Sequence, residues 1–385
     1  MKTTIYNLCA AARKLTETAA FCGILATAAI MLTSSPARAQ FTGTTPQTQP
    51  FFPLAMPTVS TVPGNGDVNP YGVFFTPRNI LTDGILQPGD ILVSNFNNNQ
   101  NLQGTGTTII RVPEHGPVST FYQGQKGLGL TAALGVVSRG VMFVGNLPTI
   151  DGTSNTIQTT SLLVIDRKGK LLGNLTDKNL VAGPWGMAIN DQGGTAQVFF
   201  SNVLNGTVTR LDLAFSGDGE TVSVRRALTV AQGYNHRTDP AALVLGPSGL
   251  FYDARHDILY VASSADNAIY AVPDAGSRGD ASAGTGTIIY QDLNHLHGPL
   301  DLVMAPNGHL LVANSDGSNA NPNDPSELVE FTVTGQFVAQ YSVDPNNGGA
   351  FGIGITTIGN GAAIRFAAVD DNMNTLTMWT TPVVN

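Results

Sequence analysis

The sequence predicts an all-β protein, a six-bladed β-propeller built from four-stranded antiparallel blades. Short apolar runs bounded by Gly, Pro and Asn recur along the chain, almost no segment has helical periodicity, and one strand-end pattern occurs six times. A radial repeat of this kind lets each blade bury its apolar faces against its neighbours. A β-sandwich is the alternative, but a sandwich does not need six copies of one pattern.

The repeat is clearest where an apolar run ends in a small polar pair. The six pairs are Ser94-Asn95, Gly145-Asn146, Ser201-Asn202, Ser263-Ser264, Ala313-Asn314 and Asp370-Asp371. The second residues of successive pairs lie 51, 56, 62, 50 and 57 positions apart. This period slightly exceeds the roughly 40 to 50 residues of a typical four-stranded blade.

An inner strand beginning at Pro or Gly is predicted ahead of each run. The six predicted starts are Asn69-Pro70-Tyr71, Gly127 to Leu130, Gly183-Pro184-Trp185, Asp239-Pro240-Ala241, Gly298-Pro299-Leu300 and Gly349-Ala350-Phe351. The sixth unit has no room for a fourth strand. The N-terminal segment Thr58 to Val62 is expected to supply it and so to close the ring.

The N-terminal residues 1–39 have the three parts of a secretory signal peptide: basic Lys2 and Lys14, an apolar run, and the small-residue site Ala37-Arg38-Ala39. The apolar run is shorter than the roughly twenty residues that span a bilayer, which predicts cleavage rather than a transmembrane anchor. Residues 40–57 are interpreted as a flexible linker, and residues 58–385 as the propeller. The expected destination is the periplasm or the extracellular space.

Cysteine content and charge exclude several function classes. Cys9 and Cys22 both lie in the signal peptide, so the processed chain can form no disulfide and can perform no thiol chemistry. The net charge is −8, and basic residues are adjacent only in pairs, such as Arg225-Arg226. Because phosphate binding needs clustered Lys and Arg, nucleic acid is not an expected partner. A monomer is expected.

The stretch from Gly298 to Asn314 resembles an NHL-type repeat. It contains a Pro-led inner strand, an Asn307-Gly308 turn and a strand that ends in Val312-Ala313-Asn314. The resemblance implies the six-bladed scaffold shared by the NHL, TolB-like and senescence-marker/gluconolactonase groups. It implies no single function, because this scaffold serves protein binding, ligand binding, lactone hydrolysis and lyase chemistry.

The mouth of the central channel is the predicted ligand site. Tyr71, Trp185, Leu300 and Phe351 fall at the starts of inner strands, with Asn69 beside them, and could form an apolar floor for a small molecule or a protein ligand. The alternative is that these side chains only plug the channel. The aromatic set and the low overall charge favour a neutral or apolar ligand.

A catalytic site is the second hypothesis. His295, His297 and Asp301 lie close in sequence, and His236 with Asp239 occupies the corresponding loop of the preceding unit. Histidine beside carboxylate can serve as acid and base or bind a divalent cation, although rim loops with local hydrogen bonds have the same composition.

Gluconolactonase-like enzymes hold a divalent cation with a Glu, an Asn and an Asp from different blades. No Glu occurs at the six predicted inner-strand starts, so no metal ligand is assigned and the cofactor stays unknown. The first functional hypothesis is therefore a non-enzymatic propeller that binds a ligand or protein partner. The second is a lactonase-like hydrolase or a lyase with a His/Asp or metal site in the channel.

Overall fold

The structure, a computed structural model, describes residues 58–281, 284–321, 328–343, 349–358, 361 and 363–382. The predicted signal peptide (1–39) and linker (40–57) lie outside the described residues. In the described part of the chain no helix has the length and apolar character needed to cross a bilayer.

Six four-stranded antiparallel sheets form the six blades of a propeller, as the sequence predicts. The first two blades contain β2 (Val68–Phe75), β3 (Ile91–Asn97), β4 (Thr108–Val112) and β5 (Ser119–Gln123), then β6 (Leu130–Val136), β7 (Val141–Asn146), β8 (Ser161–Asp166) and β9 (Leu171–Leu175). The third contains β10 (Pro184–Asp191), β11 (Thr195–Asn202), β12 (Thr207–Phe215) and β13 (Val222–Gln232). After the third blade comes an inserted hairpin of β14 (Arg237–Asp239) and β15 (Leu243–Leu245).

The remaining blades follow the same order from the inner strand outward. The fourth contains β16 (Pro247–Asp253), β17 (Ile258–Ser263), β18 (Ala268–Pro273) and β19 (Thr287–Tyr290), and the fifth contains β20 (Pro299–Met304), β21 (His309–Asn314), β22 (Leu328–Thr332) and β23 (Phe337–Tyr341). The sixth contains β24 (Ala350–Ile358), β25 (Ala363–Asp370) and β26 (Thr375–Pro382). Each inner strand packs against the next, and β24 packs against β2.

The fourth strand of the sixth sheet is β1 (Thr58–Ser60). It runs antiparallel to β26, with Thr58 opposite Thr377 and Ser60 opposite Thr375. The backbone N–H and the hydroxyl of Thr61 then both donate to the carbonyl of Asn374, at 3.0 and 2.9 Å. The outer edge of β26 is thus covered by a strand from the N-terminal side.

The sequence prediction places the inner strand of the fourth blade in the wrong segment, and it places the ring residue of the second blade one position too early. Asp239-Pro240-Ala241 belongs to the inserted hairpin, whereas the true inner strand begins at Pro247, which lies opposite Ser263. In the second blade Leu130 takes the place that Pro184 and Pro299 hold in theirs, opposite the strand-end Asn146. The residues at the ring position next to the channel are therefore Tyr71, Thr131, Trp185, Ser248, Leu300 and Phe351.

The strand-end Asn accepts the same kind of backbone hydrogen bond in three blades. The side-chain carbonyl of Asn146 accepts the N–H of Gly129 at 2.8 Å, and that of Asn202 accepts the N–H of Ala182 at 2.9 Å. Asn314 accepts the N–H of His297 at 3.1 Å in the same way. Each Asn thereby fixes the segment that leads into its own inner strand, which explains why this position recurs.

Hydroxyl groups tie neighbouring blades together around the channel. Ser94 donates to the carbonyl of Thr131 at 2.8 Å, and Thr131 donates to the carbonyl of Pro184 at 2.6 Å. The hydroxyl of Ser201 donates to the carbonyl of Ser248 at 2.6 Å, and the hydroxyl of Ser248 donates to the carbonyl of Pro299 at 2.9 Å. These bonds connect blades one to five in series, so the ring residues are held in a fixed register.

The blades approach so closely here that glycine is required at some positions. A Cβ on Gly352 would lie 1.9 Å from the carbonyl oxygen of Tyr71, in the neighbouring blade. A Cβ on Gly186 would lie 2.1 Å from the carbonyl oxygen of Ser248. Any larger side chain would push the inner strands apart, since backbone atoms cannot yield as a flexible side chain can.

Candidate functional site

A cavity of about 760 Å³ opens at the end of the channel where the inner strands begin. Tyr71, Trp185, Leu300 and Phe351 line it, as does Asn69. All five residues that the sequence assigns to ligand binding therefore share one wall. The volume lies within the range of roughly 300 to 1,000 Å³ found for small-molecule sites.

The aromatic side chains pack against one another as they form the floor. The Tyr71 ring lies 4.6 Å from the ring of Phe351 and 5.5 Å from that of Trp185, the latter edge-on. Phe96 supports Tyr71 from below at 5.0 Å. The floor residues are only 2–8% exposed, so they belong to the central core and to the cavity wall at once. Packing fixes their orientation, which makes the floor rigid.

Two polar groups of this floor have no hydrogen-bond partner among the described residues. The hydroxyl of Tyr71 and the indole N–H of Trp185 form no hydrogen bond with any part of the chain that the structure describes. Burial raises the pKa of Tyr71 far above its usual value, and the nearby charge of Asp371 raises it further. The phenol therefore stays protonated and can donate to a ligand.

The rim of the cavity is made of side-chain amides. The end of β3 contributes Asn97, the loop after it contributes Asn99, Asn101 and Gln103, and the turn between β25 and β26 contributes Asn372 and Asn374. The amide nitrogen of Asn97 donates to the side-chain carbonyl of Asn101 at 2.7 Å. The side-chain carbonyl of Asn97 is buried without a partner. It is thus an unsatisfied acceptor on a residue of the cavity wall.

The inserted hairpin (residues 237–245), here called the mouth hairpin, covers one side of the cavity. Gln103, from the opposite blade, donates to the carbonyl of Ala241 at 2.6 Å. The side-chain carboxylate of Asp239 accepts the N–H groups of Ala241 and Ala242, each at 2.9 Å. These contacts hold the hairpin across the channel mouth.

The mouth hairpin contains a strained turn. Leu243 has a φ of 62°, and the N–H of Val244 donates to the carbonyl of Ala242 at 2.7 Å. This three-residue turn with positive φ is rare and strained, and a bulky residue seldom occupies it. Leu243 is 1% exposed and packs in the cluster that contains Trp185. Burial of its side chain stabilises the turn against the backbone strain.

The electrostatic character of the cavity is acidic. Asp239, Asp316 and Asp371 line it, and no Lys, Arg or His is found among the described residues of its wall. The arginines lie elsewhere: Arg167 bonds to Asp83 and to the carbonyl of Asp218, which ties the first three blades together. An acidic wall does not favour the neutral or apolar ligand that the sequence predicts.

The histidines proposed for catalysis do not meet in the cavity. His236 is exposed and bonds to the carbonyl of Tyr234 at 3.1 Å. His295 bonds to Asp292 at 2.5 Å and stacks on Phe337, with ring centroids 3.9 Å apart.

His297 is buried, and its Nδ1 bonds to the carbonyl of Asn319 at 2.7 Å. Of the five residues in the catalytic hypothesis, only Asp239 lines the cavity. His236 and His295 are separated because the fourth inner strand starts at Pro247, after the inserted hairpin. The loop of His236 therefore leads into the hairpin, whereas the loop of His295 leads into an inner strand, so the two loops are not equivalent.

Asp301 lies in the channel wall directly after the floor residue Leu300. Its two carboxylate oxygens accept the N–H groups of Ile353, at 3.0 Å, and of Leu302, at 2.9 Å. The first of these bonds connects the fifth blade to the sixth. Removal from solvent raises the pKa of Asp301 to about 7. It contacts the next blade rather than the cavity, which argues for a structural role.

In the described ranges no group of three or more His, Cys, Asp or Glu side chains could hold a metal ion. Glu330 is fully buried in β22, where its carboxylate bonds to Nδ1 of His309 at 2.5 Å.

The sequence did not identify the rim. The polar loop from Asn97 to Gln103 was recognisable only as a loop. Asp371 belongs to the sixth strand-end pair, but the pattern did not indicate that Asp371 and Asp316 would line one cavity.

No family model matches the chain, and no curated protein matches it. The resemblance to the NHL-type repeat thus remains a prediction from the pattern. Solved structures match at the level of the fold. A candidate 6-phosphogluconolactonase from Bacteroides uniformis is 16% identical, covering 76% of this chain and 82% of that chain, with a TM-score of 0.42.

Two further solved structures show the same degree of likeness. A luciferin-regenerating enzyme is 10% identical, covering 85% of this chain and 95% of that chain, with a TM-score of 0.47. A protein from Lactobacillus plantarum is 14% identical, covering 82% of this chain and 80% of that chain, with a TM-score of 0.39. Likeness at this level carries nothing about ligand or reaction.

Proposed function

We propose that this chain is an exported, non-enzymatic propeller that binds a small molecule in the cavity at its channel mouth. The observation that carries the proposal is the combination of a rigid aromatic floor with an amide rim that leaves the Asn97 carbonyl unpartnered. Binding sites of this kind combine apolar walls with a few fixed polar groups that orient the ligand.

The same geometry favours binding over catalysis. A general acid–base mechanism needs a titratable pair within hydrogen-bond reach of one substrate atom. The three histidines have separate local partners, and the strongly perturbed Asp301 is engaged by two backbone N–H groups. No observation in the described residues favours the lactonase-like or lyase alternative.

The tryptophan content of the chain allows a direct test. Trp185 and Trp379 are its two tryptophans. Trp185 lines the cavity, whereas Trp379 packs on Phe366 within the sixth blade. The Trp379→Phe variant reports on the cavity alone, and the Trp185→Phe variant is the matched control.

The experiment is a fluorescence titration of both variants with amines, sugars, alcohols and organic acids. We expect at least one class to change the Trp185 emission saturably and to leave the emission of the control unchanged. If every class left Trp185 unaffected, or if both tryptophans responded alike, a ligand site at the channel mouth would be ruled out.

A further inference from the structure

We propose that the ligand of the cavity is an organic cation, a compound whose protonated amine or guanidinium group presents several N–H donors. This inference rests on the proposed function and specifies its ligand class. It differs from the neutral or apolar ligand that the sequence favours. Charge, hydrogen-bonding capacity and the aromatic floor each support it.

The charged side chains in the described part of the cavity wall are all negative. Asp239 comes from the mouth hairpin, Asp316 from the loop after β21, and Asp371 from the turn after β25. Three separate segments therefore place carboxylates around one space, with no basic side chain among the described wall residues. An anionic ligand would meet like charges, whereas a cation would be attracted.

The unpartnered hydrogen-bonding groups of the cavity wall are acceptors, so they favour a ligand that carries N–H or O–H donors. Asn97 is 2% exposed, and its amide nitrogen is already used by Asn101. Its carbonyl, and that of Asn69, are buried without partners. Unpartnered acceptors at the wall of a cavity are satisfied by N–H or O–H groups, and a protonated amine offers three N–H donors from one atom.

The floor suits a cation for a separate reason. Aromatic rings attract a positive charge placed over their faces, with Trp the strongest, at distances of up to about 6 Å. Trp185, Tyr71 and Phe351 are held together at one end of the cavity. A cation between this floor and the three carboxylates of the wall would therefore be attracted from both sides.

The experiment compares three probes that share a phenyl ring on a two-carbon chain: phenethylamine, 2-phenylethanol and 3-phenylpropionate. Each is titrated by calorimetry into the Trp379→Phe protein, with Trp185 fluorescence recorded in parallel. Phenethylamine is expected to bind at least tenfold more tightly than 2-phenylethanol, and 3-phenylpropionate to show no binding. High salt should weaken only the binding of phenethylamine.

Two variants that each remove one carboxylate of the cavity wall identify the source of the selectivity. Asp371→Asn and Asp239→Asn should each weaken phenethylamine binding several-fold and leave 2-phenylethanol binding unchanged. Asp239→Asn keeps an oxygen that can accept the backbone N–H groups of the mouth hairpin, so one variant preserves the local structure. Asp280→Asn, at an exposed position outside the cavity wall, is the control and should change neither affinity.

Several results would overturn the inference. If 2-phenylethanol or 3-phenylpropionate bound as tightly as phenethylamine and altered Trp185, the cavity would bind small molecules of another class, and only the cation assignment would fail. Tight binding of calcium chloride alone, with displacement of phenethylamine, would make the site a metal site. Silence of Trp185 towards the three phenyl probes would overturn the cation assignment, and silence towards every compound class of the first titration would overturn the proposed function as well.

Discussion

Replacing Asp301 with Asn should change how the stability of the protein depends on pH. In four other blades the residue after the ring position is glycine, namely Gly72, Gly186, Gly249 and Gly352. The fifth blade places a carboxyl group there, bonded only to the N–H groups of Ile353 and Leu302 in the interactions observed. Without a cation beside it, removal from solvent raises the pKa of Asp301 from 3.8 to about 7.

The direction in which stability changes with pH follows from the number of protons bound by the folded and unfolded states. Between pH 3.8 and about 7 the folded state keeps a proton on Asp301 that the unfolded state has lost. The free energy of unfolding must therefore fall as pH rises through this window and become constant above it. At about 1.4 kcal/mol per pKa unit, the whole effect is at most about 4 kcal/mol, and less where channel water reaches the carboxylate.

The assay is urea unfolding of the wild type and of Asp301→Asn at pH 4.5, 5.5, 6.5 and 7.5. Asn cannot titrate, so its stability should vary less across this range and the two proteins should converge or cross as pH rises. Loss of one backbone hydrogen bond in the variant adds a constant offset of about 1 to 3 kcal/mol. If the two proteins had parallel pH profiles, the carboxyl group of Asp301 would not be buried as described.

Three further predictions concern packing and the mouth of the channel. Ser248→Ala removes the hydroxyl that donates to the carbonyl of Pro299, and should lower the free energy of unfolding by about 1 to 3 kcal/mol; an unchanged urea midpoint would contradict this. Gln103→Ala removes the bond that holds Ala241, so amide hydrogen exchange of residues 241–245 should accelerate about fivefold with other blades unaffected; unchanged rates would mean that the mouth hairpin is held by other contacts. Glu330→Leu removes the carboxylate that bonds to buried His309 and to partly buried Tyr341, and should lower the free energy of unfolding by about 3 to 5 kcal/mol, measured by urea unfolding at pH 7; a loss below 1 kcal/mol would show that this network is not a stabilising unit.

The blade pattern was predictable because it has a local cause. Asn146, Asn202 and Asn314 each cap the entry to their own inner strand, so the same residue type recurs at these three strand ends. The prediction for the fourth blade failed because Asp239-Pro240 resembles the Pro-led start seen in other units. The longer interval between Asn202 and Ser264 was the available sign of an insertion, and Gly246-Pro247-Ser248-Gly249 was the better match to Gly183-Pro184-Trp185-Gly186.

The floor of the site was predictable and its rim was not. Floor residues occupy equivalent positions of the repeat, so radial symmetry brings Tyr71, Trp185 and Phe351 together once the register is known. The rim depends on where loops cross the mouth, as when Gln103 reaches Ala241 from the opposite blade. Such contacts follow from loop conformation, which the repeat does not encode.

The indole N–H resonances of the two tryptophans test the central claim most directly. In protein labelled with ¹⁵N at tryptophan, titration with phenethylamine should shift the Trp185 signal saturably, because its N–H lines the cavity, and should leave the Trp379 signal in place. A Trp185 signal that stays fixed while phenethylamine binding is measured by calorimetry would place the ligand elsewhere and contradict the site described here.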